Sequence, residues 1–257
     1  MTNKLDAVLA AAHGHIQLMT HVVAGYPDLD TGLRLVRAMA ACGVRIIEIQ
    51  IPFTDPLADG PTIMAANQAA LDAGMTPEDA LAWAGAVAAA LPEVAVLVMT
   101  YANVPYAMGM EEFLRRCAAR NIQGVIIPDL PVDEPEGDYA AMARRLGLHP
   151  VMVISPDTPE KRLELLLPQA SGLLYTTLKV GITGASSDLC PEALAYLQSL
   201  GRRTHLPIAA GFGISQPRHV AALAGRAQVA VVGSHVLSLL NHGGIPAVEA
   251  FLRACMA

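Results

Sequence analysis

The chain has 257 residues, a length that suits one large α/β barrel as well as two small domains. Hydrophobic residues make up 53% of it, aromatic residues only 4%, and the formal net charge is −6. An acidic chain without a basic cluster, and with few rings on which bases could stack, is not expected to bind nucleic acid.

The apolar stretches do not have the pattern of membrane spans. A long segment without Asp, Glu, Lys or Arg covers residues 7–27, but it contains His13, His15, Gln17 and His21, which are unusual in a transmembrane helix. The polar start of the chain lacks the pattern of a signal peptide. The widely spaced cysteines include no Cys-x-x-Cys pair, so neither a zinc site nor a disulfide framework is expected. We therefore expect a soluble cytoplasmic protein with no membrane partner.

Short apolar runs alternate with helical patterns along the chain. The predicted strands are Leu18–Ala24, Val44–Ile51, Ala95–Thr100, Gly124–Pro128, Pro150–Ser155, Gly172–Leu178, Pro207–Ala210 and Val229–Val232. Most are continuously apolar, as expected for parallel strands that are buried on both faces. The predicted helices are Asp30–Ala41, Pro77–Ala90, Met110–Ala119, Glu134–Leu146 and Pro191–Leu200, with an extra helical segment over Thr62–Ala73.

Eight strand–helix units in about 250 residues match an α/β fold of the (β/α)8 TIM-barrel type, and we expect a single such domain over residues 1–257. A doubly wound sheet is the alternative, but 24-AGYPD-28 follows the first strand where that fold carries Gly-x-Gly-x-x-Gly. Barrel active sites are built from the loops after the strands. One of these loops, residues 179–189, is long and rich in small residues, as a mobile lid would be.

Three glycine-containing segments are typical of anion-binding turns: 181-GITGA-185, 211-GFGIS-215 and 233-GSHV-236. The last two follow strands seven and eight, where barrels commonly bind phosphate. Glycine lets a ligand approach the backbone closely, and Ser234 is expected to open a short helix whose free N–H groups face an anion. Each segment alone is also ordinary turn material. Their joint placement predicts a site for a phosphorylated small molecule.

Two acidic residues are candidates for catalysis. Glu48 lies in an otherwise apolar strand, and Asp59 follows eleven residues later in a loop stiffened by prolines. Both have ordinary structural explanations as well, because a lone strand acid often belongs to a polar network and an acid before Gly-Pro can help start a helix. Tyr175, in the sixth strand, could likewise be a core residue whose hydroxyl is satisfied.

With these segments in view, the chain resembles the family of tryptophan synthase α subunits. The motifs that carry the resemblance, in chain order, are 23-VAGYPD-28, 48-EIQIPFTDPLADGPTI-63, 99-MTYAN-103, 128-PDLPVDE-134, 181-GITGA-185, 211-GFGIS-215 and 232-VGS-234. The resemblance implies a barrel enzyme of tryptophan biosynthesis, a lyase that cleaves indole-3-glycerol phosphate to indole and glyceraldehyde 3-phosphate by a retro-aldol reaction. It also implies a pyridoxal-phosphate β subunit that receives the indole within an α2β2 heterotetramer.

The resemblance further implies roles for individual residues. Glu48 matches the family's catalytic glutamate, and Asp59 matches the aspartate that holds the indole N–H. Asp55 and Pro56 match a loop that helps form the contact with the β subunit. Positions that match the substrate pocket and its phosphate side are Tyr101, Tyr175, Thr183, Gly184, Phe212, Gly213, Gly233 and Ser234.

The reaction itself requires acid and base chemistry at two sites. Breaking the bond between indole C3 and the glycerol chain needs a proton delivered to C3 and a proton removed from the glycerol hydroxyl. One carboxyl group beside both sites, that of Glu48, can serve as acid and base in turn. A second carboxylate at the ring nitrogen, that of Asp59, stabilises positive charge on the indole. No metal or organic cofactor is required.

Three positions depart from the family pattern and bear on specificity. Gln50 replaces a glycine, and because strand side chains alternate, it should point to the barrel mouth together with Glu48. His21 replaces an apolar residue that contacts the ring, and Lys179 replaces an arginine. The indole end of the pocket should therefore be more polar and more crowded, unless His21 and Gln50 hydrogen-bond each other.

These departures leave three interpretations open. The chain is an ordinary α subunit that tolerates the changes, a diverged lyase or aldolase for a more polar phosphorylated substrate, or a weakly catalytic partner of a β chain. The presence of both Glu48 and Asp59 argues against the third interpretation.

Overall fold

The computed structural model describes residues 3–57, 59–131, 139–178, 190–211 and 213–256. Within these ranges, eight parallel strands close into a barrel in chain order, and β8 pairs with β1. The strands β1 to β8 are Gln17–Val23, Ile46–Gln50, Ala95–Met99, Gly124–Ile126, His149–Ile154, Leu174–Thr177, Ile208–Gly211 and Val229–Val232. The predicted single-domain (β/α)8 barrel is confirmed.

Helices precede and connect the strands. The helices α1 to α11 are Lys4–Ala11, Leu29–Ala41, Pro61–Asp72, Pro77–Ala90, Asn103–Met108, Met110–Ala119, Tyr139–Arg145, Glu160–Leu166, Pro191–Gly201, Pro217–Ala222 and Ser234–Met256. A 3-10 turn lies at Leu167–Gln169. In the described part of the chain, no helix combines the length and the apolar character that a membrane crossing requires.

The predicted elements agree with this arrangement at most positions. The predicted bounds of α4 and α6 are those observed, and the extra helical segment is α3. The helix predicted over residues 134–146 is described only as α7, because residues 132–138 lie outside the described ranges. Ser234 does open a helix, but that helix is long and is kinked at Gly244, where φ is 65°. The short helices α1, α5, α8 and α10 were not predicted.

The strands are buried on both faces, which explains their unbroken apolar runs. In β2, Ile46 belongs to the cluster inside the barrel, whereas Ile47 and Ile49 pack in the outer layer against the helices. Burying one such side chain contributes roughly 1.5–3 kcal/mol. Alternation therefore points Glu48 and Gln50 inwards, as the sequence predicts.

The amino end of the barrel is closed by α1. Leu5 of this helix is fully buried within the interior cluster. The Asn3 side chain caps α1 and also donates hydrogen bonds to the carbonyl oxygens of Gln123 and Gly147, at 2.8 and 2.9 Å. The backbone N–H of Lys4 donates to Gln123 Oε1 at 2.7 Å. These bonds fix α1 across the amino end of the barrel, so a ligand site is expected at the carboxyl end.

Candidate functional site

A cavity with an empty volume of about 660 Å³, part of it open to solvent, lies at the carboxyl end of the barrel. Its apolar wall is formed by side chains that include Ile63, Met99, Ile126, Val153, Ile214 and Val231. Its polar lining includes His21, Glu48, Asp59, Tyr175, Gly213, Gly233 and Ser234. The cavity thus combines an apolar wall with several convergent polar groups, as small-molecule sites do.

Glu48 and His21 form a buried pair on neighbouring strands. The β1–β2 register makes them direct partners, and each is only 4% exposed. His21 Nδ1 lies 3.0 Å from Glu48 Oε1. Among the described residues, Glu48 Oε2 and His21 Nε2 have no hydrogen-bond partner. One oxygen of Glu48 is therefore engaged by the imidazole, and the other is buried without a partner in a side chain that lines the cavity.

The electrostatics of this pair favour a proton on the imidazole. Burial alone would lower the pKa of His21, but the charge and the hydrogen bond of Glu48, with a further contribution from the charge of Asp59, raise that pKa. Because an ionised carboxylate can only accept hydrogen bonds, His21 Nδ1 is then the donor to Glu48 Oε1.

Asp59 lies between β2 and α3 and is held by three side chains. Its Oδ2 accepts a hydrogen bond from Gln50 Nε2 at 2.7 Å and a longer one from Asn67 Nδ2 at 3.5 Å, and the Tyr101 side chain also hydrogen-bonds it. The N-cap of α3 is Gly60 and not Asp59, and this helix start has no side-chain capping bond. Burial raises the pKa of Asp59 and Glu48 adds to the rise, while Gln50, His21 and Tyr101 oppose it.

Gln50 differs from the expectation drawn from the sequence. Its side chain is fully buried, and besides the bond to Asp59 it donates to Asn67 Oδ1 at 3.3 Å. In the structure His21 binds Glu48 and Gln50 binds Asp59. The alternative considered from the sequence, a hydrogen bond between His21 and Gln50, is not the arrangement observed. Gln50 does not appear in the cavity lining, because its amide is directed at Asp59, whereas His21 lies in the lining and adds a polar group to it.

Two tyrosines complete this end of the site. The Tyr101 ring stacks on Phe53, with 5.5 Å between ring centroids, which orients its hydroxyl towards Asp59. Burial and then the charges of Glu48 and Asp59 raise the pKa of Tyr175 well above its usual range, so its hydroxyl stays protonated. Gly211 makes room for Tyr175, because a Cβ at position 211 would lie 2.8 Å from the tyrosine oxygen.

The glycine-rich segments after β7 and β8 lie at the cavity. Gly213 has a φ of +96°, a conformation that favours glycine. Its carbonyl oxygen and the backbone N–H of Ser215 lie 3.1 and 3.3 Å from Nδ1 of the buried His219, and the tautomer of the ring decides whether Nδ1 donates to the carbonyl or accepts from the N–H. Gly233 lines the cavity, and Ser234 begins α11 beside it. Free N–H groups of a helix start are thus next to the cavity, an arrangement suited to an anion.

Some predicted site residues cannot be located, and some contacts were missed. Lys179, Thr183, Gly184 and Phe212 lie outside the described residues. Asn67 was not anticipated, although a polar residue on the buried face of a predicted helix is a usable signal. Across the ranges that the structure describes, no group of three or more His, Cys, Asp or Glu is placed to hold a metal ion.

Comparisons with known proteins agree with this geometry. The family model described as tryptophan synthase alpha chain matches residues 9–250. The tryptophan synthase alpha chain of Syntrophotalea carbinolica is 41% identical over 243 residues, which is 95% of each chain. A structure of Mycobacterium tuberculosis tryptophan synthase aligns with a TM-score of 0.88 and 29% identity, covering 99% of this chain and 97% of that one. The tryptophan synthase α2β2 complex of Pyrococcus furiosus aligns with a TM-score of 0.85 and 29% identity, covering 93% and 97%. This chain therefore belongs to the tryptophan synthase alpha chain family.

Proposed function

We propose that this chain is a lyase that cleaves indole-3-glycerol phosphate to indole and glyceraldehyde 3-phosphate, the α reaction of tryptophan synthase. The observation that carries the proposal is the placement of two buried carboxyl groups, Glu48 and Asp59, at one largely apolar cavity. The same cavity is bordered by Gly213, Gly233 and Ser234, at the end of the barrel where phosphate is commonly bound.

Glu48 acts first as an acid and then as a base. For this step one proton of the pair is carried on Glu48 Oε2, while the neutral His21 still donates its Nδ1–H to Oε1. Glu48 delivers the Oε2 proton to indole C3, which leaves a positive charge on the ring system. The resulting carboxylate takes the proton of the glycerol hydroxyl as the carbon–carbon bond breaks. The electrons of that bond return to the ring, the hydroxyl carbon becomes the aldehyde, and Glu48 regains its proton.

Asp59 stabilises the charged intermediate. Its carboxylate binds the ring N–H, where the positive charge is concentrated after C3 is protonated. Gln50, Asn67 and Tyr101 hold that carboxylate, so little reorganisation is needed when the charge develops. The uncharged Tyr175 hydroxyl adds a hydrogen-bonding group to the pocket.

The phosphate group binds at the opposite side of the cavity. Gly213, Gly233 and Ser234 supply backbone N–H groups and the start of α11. Thr183, Gly184 and Phe212 are assigned to the substrate pocket from the sequence alone, and Lys179, which replaces an arginine of the family, is a candidate for a change in specificity. The ordinary α-subunit interpretation is favoured over a lyase for a more polar substrate because Gln50 binds Asp59 and does not line the cavity.

The proposal extends to assembly with a β subunit in the cytoplasm. The Pyrococcus furiosus relative is an α2β2 complex. In this chain Asp55 and Pro56 precede Leu57, whose side chain is 78% exposed close to the site. The proposed β subunit would cover this exposed side chain.

The test is indole release from indole-3-glycerol phosphate by the purified chain, with Glu48→Gln as the matched control and a tryptophan synthase β subunit added in a parallel run. Glu48→Gln keeps the size of the side chain and removes its acid and base function. We expect release that depends on Glu48 and that the β subunit accelerates. Folded wild-type protein that binds glycerol 3-phosphate but releases no more indole than the control would refute the proposed reaction.

A further inference from the structure

The two oxygens of the Glu48 carboxylate are in different environments. Oε1 lies 3.0 Å from His21 Nδ1, whereas Oε2 is buried without a hydrogen-bond partner among the described residues. The register of β1 and β2 fixes this contact, because the Cα atoms of His21 and Glu48 are paired. A catalytic side chain that faces a cavity on one side is thus held by a strand neighbour on the other.

We propose that His21 is a positioning residue for Glu48, whose Nδ1 binds Oε1 and so presents Oε2 to the substrate. The inference rests on the proposed function of Glu48. A glutamate has several rotatable bonds, and without this contact its carboxylate would sample rotamers that do not reach the substrate. Charge-assisted hydrogen bonds are short and strong, so one such bond is sufficient to select a rotamer.

The surroundings of His21 support this role over a direct contact with the substrate phosphate. The acidic groups near its imidazole are Glu48 on β2 and Asp59 before α3, and both favour the protonated ring. The ring nitrogen that has a partner, Nδ1, faces the Glu48 carboxylate. With a proton on Nδ1, the imidazole donates to Oε1 both when Glu48 is protonated on Oε2 and when Glu48 is ionised.

Three substitutions separate positioning from simple filling of space. In His21→Asn the amide nitrogen can occupy approximately the place of Nδ1, so the bond to Oε1 can be kept. In His21→Gln the amide nitrogen lies approximately where Nε2 was, so the bond is lost while a polar side chain remains. His21→Phe keeps a ring of similar size and removes every hydrogen bond.

The experiment measures kcat and KM for indole-3-glycerol phosphate in the wild type and the three variants, with circular dichroism and glycerol 3-phosphate binding as controls of folding. We expect His21→Asn to keep kcat within about threefold of wild type, because the bond is preserved. His21→Gln and His21→Phe should lose about 10- to 100-fold in kcat with KM changed less than about twofold, because a misplaced catalytic group slows chemistry and not binding.

Each other outcome overturns the inference in a recognisable way. Wild-type kcat in His21→Phe would show that the position only fills space. Equal losses in His21→Asn and His21→Phe would show that the Nδ1 bond is not the one that matters. A change in KM alone would make His21 a substrate contact. An inactive wild type would overturn the proposed function itself, and the inference with it.

Discussion

The bond between Gln50 and Asp59 makes a quantitative prediction about stability. Gln50→Leu removes the 2.7 Å hydrogen bond to Asp59 Oδ2 and the 3.3 Å bond to Asn67 Oδ1. Gln50 is fully buried, so leucine fills its place and supplies no donor to replace the lost one. Asp59 then keeps the 3.5 Å contact with Asn67 and its bond with Tyr101. Because the Gln50 bond opposes the rise in the pKa of Asp59, the substitution should also raise that pKa further.

The size of the effect follows from the kind of bond lost. A hydrogen bond to a charged group contributes about 1.5–3 kcal/mol, so we expect the free energy of unfolding to fall by that amount. For a chain of this length the loss corresponds to a decrease in Tm of roughly 3–12 °C. The exposed pair of Gln68 and Asp72 is a matched control, because its bond is also 2.7 Å long. Gln68→Leu should change stability by less than about 0.5 kcal/mol.

The assay is urea unfolding at neutral pH of the wild type, Gln50→Leu, Asp59→Ala and the double variant. A double-mutant cycle should give a coupling energy of at least about 1 kcal/mol between positions 50 and 59, since residues that share a buried hydrogen bond do not act additively. Additivity within about 0.5 kcal/mol, or equal effects of Gln50→Leu and Gln68→Leu, would refute the reasoning.

Three further predictions concern other groups. The pKa of Asp59 is raised, chiefly by burial, so the stability that its neutral form provides is present below the ordinary value of 3.8 and is lost as the pH rises through the raised pKa. Asp59→Asn has no carboxyl group to ionise, so its free energy of unfolding, measured in urea, should rise relative to that of the wild type between acidic and neutral pH. A difference that stays constant over this range would contradict the prediction. Gly211→Ala places a Cβ 2.8 Å from the Tyr175 oxygen, so overpacking should cost about 1–3 kcal/mol in thermal unfolding and reduce indole release. Burial raises the pKa of Cys117 to about 12, so alkylation of the native protein at pH 8, read by mass spectrometry, should label the exposed Cys190 and reach Cys117 only after unfolding.

The barrel could be predicted because its strands are buried on both faces. Each strand leaves an apolar run in the sequence, and the eight runs were placed with ends that differ from the observed ones by a few residues. The short helices α5, α8 and α10 were not predicted, for a different physical reason. Helices of six or seven residues expose too few positions for a period of 3.6 to be recognised.

The contacts of the candidate site were less predictable than its residues. Alternation along β2 indicates that Glu48 and Gln50 share a face, but it does not say which neighbour each one meets. That depends on the stagger between strands, which pairs His21 with Glu48, and on the path of the loop that brings Asp59 to Gln50. Stagger is a property of the closed barrel and has no local signature in the chain.

The closed amino end determines where small molecules enter and leave the barrel. Leu5 and the bonds made by Asn3 and Lys4 seal that end of the barrel in its described part. A small molecule entering the cavity and a product leaving it must then both cross the opposite rim, where the exposed Leu57 also lies. A protein that received the product at this rim would also cover the opening through which the next substrate enters. Entry and delivery are thus coupled by architecture, and a bound partner can act as a gate without touching Glu48.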